Sequence, residues 1–85
     1  MYTIDEHRKN IDMIDDELLT LLNRRAQHSL EIRKLKPKNQ KSVFDPKREE
    51  DIIKRLQESS NGPLYRDGIR EIYSSILKVM KETPL

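Results

Sequence analysis

Apolar residues recur every seven positions through the N-terminal part of the chain. Ile4, Ile11, Leu18 and Ile32 share one line of a helical surface, and Ile14, Leu21 and Leu35 share the line beside it. This spacing predicts one amphipathic helix over about 3–36. Thr3 and Glu6 open it as a reciprocal capping pair. Acidic residues (Asp5, Glu6, Asp12, Asp15, Asp16, Glu17) crowd its first half and basic ones (Arg33, Lys34, Lys36) its end, as the helix dipole prefers. No Gly or Pro interrupts it before Pro37. At ~1.5 Å per residue it would be roughly 50 Å long. Two shorter helices cannot cover that length, so part of the stripe needs another subunit.

A polar loop is expected over 37–42. Asp45-Pro46 then starts a second helix over about 46–60, with Asp45 as cap, Pro46 in the first turn and Ile52, Ile53 and Leu56 as a short apolar face. Asn61-Gly62-Pro63 ends it, Gly62 being the expected left-handed cap. A third helix is predicted over about 64–82 from Ile69, Ile72, Tyr73, Ile76, Leu77 and Met80, and Pro84 stops it. Gly68 weakens its first turns somewhat. Alternating strand patterns are missing, so the fold class is all-α, one domain over 1–85.

Composition narrows the partners. With 85 residues, 34% hydrophobic content, one Phe and no Trp, the chain has a modest core, and an oligomer is expected to complete it. The 17 Lys and Arg nearly balance 15 Asp and Glu, which argues against a general nucleic-acid binder. There is no cysteine for a disulfide or thiolate zinc site, and no apolar run long enough for a membrane span or signal core. A soluble cytoplasmic protein without metal or cofactor is expected.

The chemistry lies in what breaks the stripe. Arg25 interrupts the first apolar line in its middle, and His7 and His28 interrupt the second. A buried charge is costly unless an anion meets it. A structural ion pair with an acid of a neighbouring helix is the plain account of Arg25; a ligand is the other. Lys36, eleven residues on, shares the Arg25 face, whereas Arg8 lies about 100° round and roughly 25 Å away. In an antiparallel pairing of two long helices, Arg8 of one chain reaches the site of the other. Arg48-Glu49 sits in the first turn of the second helix, whose amides also favour an anion; its plain account is a solvated helix start. Three or four cations, one carboxylate and apolar walls suit a small dianion that carries a hydroxyl. His7 and His28 are expected at helix edges or in solvent, Tyr65 and Tyr73 in the core, and Arg24 and Arg33 on the surface.

The pattern Arg8-x-x-Ile11-Asp12-x-Ile14-Asp15-x-x-Leu18-x-x-Leu21-Leu22-x-x-Arg25 resembles the opening of the all-helical, AroQ-type chorismate mutases. Lys36, Val43-Phe44-Asp45-Pro46-x-Arg48-Glu49 and Asn61-Gly62-Pro63-Leu64 extend the likeness over nearly the whole chain. The resemblance implies an intertwined homodimer of three-helix chains that converts chorismate to prephenate, without a cofactor, on the way to phenylalanine and tyrosine. It implies that Arg25 and Arg48 hold carboxylates, with Arg8 entering from the partner chain. Lys36 would contact a carboxylate and the ether oxygen. Glu49, helped by backbone at Asp45, would accept from the ring hydroxyl, and Ile32 and Ile52 would form apolar walls. A unimolecular rearrangement needs no nucleophile, only a folded conformer and donors aimed at the oxygen that gains charge.

One departure stands out. Aligned on Ile69–Leu77, the family usually has Ser at Ile76 and Gln or Glu at Met80, the latter donating to the ether oxygen. Met80 cannot donate. Lys36 then acts alone, or a one-residue register shift brings Lys81 in, or the chain is a mutase-like regulatory or dimerisation domain of a shikimate-pathway enzyme. Isochorismate–pyruvate lyase activity, which the same fold supports, is a further alternative.

Overall fold

The computed structural model describes residues 2–35 and 45–84, and these form three helices: α1 (Ile4–Leu35), α2 (Pro46–Ser59) and α3 (Arg66–Glu82). The loop expected over 37–42 lies outside the described residues. The capping pair that starts α1 is made as its residue types dictate: the Glu6 amide donates to Thr3 Oγ1 at 3.1 Å and the Thr3 amide to Glu6 Oε2 at 3.2 Å.

Packing is uneven. α2 and α3 close on each other through Ile52, Ile53 and Leu77, with Leu56 and Tyr73 packed against them. Two polar ties fix their register. Arg70 clasps Glu50 with bonds of 2.6 and 2.9 Å, and the Gln57 amide donates to the Arg66 carbonyl at 2.9 Å. The Arg70 hydrogen bonds hold the Glu50 carboxyl below its ordinary value, and the same bonds raise Arg70.

α1 has no buried residue in the single chain. Its apolar stripe, Ile4, Ile11, Ile14, Leu18 and Leu21, is at least 50% exposed throughout. Only its C-terminal half, from Leu22 to Arg33, carries half-buried positions. The molecule is therefore elongated, 57 × 25 × 16 Å, a two-helix core with a long arm.

Two helix ends differ from the sequence expectation. α2 ends on Ser60, whose amide donates to the Leu56 carbonyl at 3.1 Å, while its hydroxyl donates to the Leu64 carbonyl at 3.2 Å. Gly62 takes the left-handed conformation (φ 85°), but two residues later, inside the turn. α3 begins at Arg66 rather than near Leu64, because Tyr65 is still extended (φ −94°, ψ 168°) and offers no side-chain cap. Among the described residues no helix is long and apolar enough to cross a membrane.

Candidate active site

Three helix faces meet around an open cleft of about 310 Å³. α1 contributes Arg25, His28, Ser29, Ile32 and Arg33, and the start of α2 contributes Asp45, Arg48, Glu49 and Ile52. The end of α3 contributes Leu77, Met80 and Lys81. Within each helix these residues are three or four apart, so each set occupies one face.

The entry to α2 is built locally. Asp45 is extended (φ −131°, ψ 93°), its Oδ1 accepts from the Arg48 amide at 3.1 Å, and Pro46 follows in the first turn. Pro46 has no amide proton and the Arg48 amide is committed to Asp45, so Lys47 has the one amide of that turn still open to an anion. The helix start therefore attracts anions mainly through side chains, not through free amides as the sequence suggested. The cap itself is testable. Asp45→Ala should lower unfolding stability by about 1 kcal/mol in a denaturant titration, and Asp45→Asn should retain most of it.

The cations of the cleft are not equivalent. Neither the Arg25 nor the Arg48 guanidinium has a carboxylate partner among the described residues. Among the described residues of the single chain, no structural ion pair therefore accounts for Arg25. Lys81 comes instead to Glu49, 3.3 Å from Oε1 and 3.2 Å from Oε2. Arg33, expected on the surface, is half-buried and donates to the Thr83 carbonyl, tying the end of α3 to α1. Four cations face two carboxylates, a net of two positive charges around the cleft. Ile32, Ile52, Leu77 and Met80 supply apolar walls, and of these Ile52, Leu77 and Met80 are buried.

Most residues singled out from the sequence therefore converge: Arg25, Ile32, Asp45, Arg48, Glu49, Ile52 and Met80. Arg8 does not. It lies about 25 Å along α1 from Arg25, its side chain 74% exposed and 4.0 Å from Asp5. Lys36 lies outside the described residues. Sequence reasoning does not identify His28, Ser29, Arg33 and Leu77 as site residues, although the three- and four-residue spacing from Arg25 points to His28, Ser29 and Ile32 together. His7, at the far end of α1, meets the Tyr2 ring edge-on at 5.2 Å. Among the described residues no group of three or more His, Asp or Glu is placed to hold a metal.

Such a cleft can bind a compact dianion, shield its apolar face and hold it in one conformation. The profile of the type II chorismate mutase family matches residues 7–83. The bifunctional chorismate mutase/prephenate dehydratase of Neisseria gonorrhoeae (strain ATCC 700825 / FA 1090) is 43% identical over 98% of this chain and 24% of its own length. The protein of that name from Aquifex aeolicus (strain VF5) is 33% identical over 91% of the chain and 22% of its own length. The chain spans about a quarter of the length of these relatives. Among solved structures, chorismate mutase from Thermus thermophilus superposes with a TM-score of 0.85 at 32% identity, covering 91% of this chain and 96% of that one. Chorismate mutase from Helicobacter pylori in complex with prephenate gives 0.84 at 29% identity, covering 93% and 86%.

Proposed function

Since the chain belongs to the type II chorismate mutase family, we propose that it rearranges chorismate to prephenate in aromatic amino acid biosynthesis, as a homodimer in the cytoplasm. The observation that carries this reading is the pair of guanidinium groups, Arg25 and Arg48, without carboxylate partners among the described residues, beside Glu49 and apolar walls. Arg25 and Arg48 bind the two substrate carboxylates. Glu49, with the Asp45 backbone, accepts from the ring hydroxyl, and Ile32 and Ile52 press the ring toward the folded conformer. The family resemblance assigns Lys36, which lies outside the described residues, to a carboxylate and the ether oxygen, where negative charge grows as the C–O bond lengthens. Arg8 is supplied by the partner chain.

The reaction asks little else of the protein. An acceleration of ~10⁶ corresponds to roughly 8 kcal/mol, within reach of conformational restriction and preorganised cations. Purified protein should consume chorismate, followed by its ultraviolet absorbance, and yield prephenate above the uncatalysed rate. Chorismate left at the background rate would overturn the assignment. Pyruvate released from isochorismate would move the protein to the lyase reading.

A further inference from the structure

We propose that Lys81 is a positioning residue of this site: it holds the Glu49 carboxylate in one orientation, facing the hydroxyl of the bound ligand, and offsets its charge. The inference rests on the functional reading above and deepens it.

The geometry is specific. Lys81 Nζ lies within 3.3 Å of both Glu49 oxygens, so the ammonium straddles the carboxylate rather than touching one corner. The partners come from different helices, and their side chains are only 34% and 23% exposed. A half-buried pair of this kind orients both members more firmly than a solvated surface pair does. The end of α3 is itself anchored, because Arg33 of α1 donates to the Thr83 carbonyl. Lys81 is thus presented from a fixed turn.

Electrostatics gives the pair a purpose. A bare carboxylate beside a dianionic ligand repels it, yet the ligand hydroxyl needs an acceptor. Lys81 resolves the conflict by leaving Glu49 able to accept while restoring a net of two positive charges to the cleft. No other side chain of α3 in the cleft does this. Leu77 and Met80 are apolar, and the next position on that face, Pro84, lies beyond the end of the helix at Glu82.

The test uses Lys81→Met, Lys81→Arg, Glu49→Gln and the double variant, with kcat and KM for chorismate measured separately and thermal melts to establish folding. Lys81→Met should lower kcat/KM about tenfold or more, with the larger share in kcat, and Lys81→Arg should recover most of the loss. In the Glu49→Gln background, Lys81→Met should cost less than about twofold, since the interaction it serves is already gone. An active wild type with an unmoved Lys81→Met variant overturns the inference alone. So does a loss undiminished in the Glu49→Gln background, which would have Lys81 act without Glu49. If Lys81→Met does not fold, Lys81→Gln takes its place in the same cycle. A wild type that leaves chorismate unchanged overturns the functional reading and this inference with it.

Discussion

Arg25→Ala is expected to reduce kcat/KM for chorismate by about 10²–10³ while leaving the melting temperature unchanged or slightly raised. The reduction follows from what the guanidinium does in the proposed complex. It meets a substrate carboxylate in a partly dry cleft, where removing one preorganised donor typically costs that much. The stability side follows from what it lacks. Arg25 has no carboxylate partner among the described residues and shares the cleft with Arg33 and Arg48, so its removal breaks no ion pair and relieves like-charge repulsion. Arg25→Lys should lose much of the activity as well, because an ammonium cannot reproduce a planar two-pronged contact. Steady-state kinetics paired with thermal melts separates the possibilities. A large drop in melting temperature with turnover retained would make Arg25 a structural residue and remove the centre of the proposed site.

Much of this site is legible in the sequence because it is written locally. Thr3 with Glu6, and Asp45-Pro46 with Arg48, are devices spanning three or four residues, and short-range geometry alone decides them. Heptad spacing makes the misplaced Arg25 visible, since a charge in an apolar stripe contradicts its surroundings. Other features depend on how distant segments pack. Arg33 reads as a terminal helix cation until α3 brings the Thr83 carbonyl to it, and Lys81 gains meaning only when α3 crosses the first turn of α2. The α2–α3 turn departs from expectation for a related reason. Gly62 does adopt the left-handed conformation, but the backbone amide of Ser60 already closes the helix on the Leu56 carbonyl, and the Ser60 hydroxyl then ties the turn to Gly62 and Leu64, roles its sequence neighbourhood does not signal. Met80 is buried in the cleft wall, so the departure noted at that position stands as an apolar surface with a cation beside it.

Mixing two impaired variants, Arg8→Ala and Arg25→Ala, is expected to restore activity to about a quarter of the wild-type value. The argument begins with α1. Its stripe from Ile4 to Leu21 is at least half exposed in one chain, and burying a half-exposed Ile or Leu recovers on the order of 1 kcal/mol each. In the proposed homodimer, a second copy crossing antiparallel would cover that stripe and carry its own Arg8 across the roughly 25 Å that separates Arg8 from Arg25 in one chain. Arg8 is 74% exposed and among the described residues makes only a long contact with Asp5, so Arg8→Ala should fold normally yet be nearly inactive. After the mixed chains are unfolded and refolded together, about half of the dimers pair unlike chains in a twofold arrangement. In each of these, one site has both arginines intact and the other has neither, which sets the yield at about one quarter. Light scattering of the same samples should show dimers throughout. Recovery no greater than the sum of the separate variants would mean that each site is built from one chain, and Arg8 would lose its assigned role.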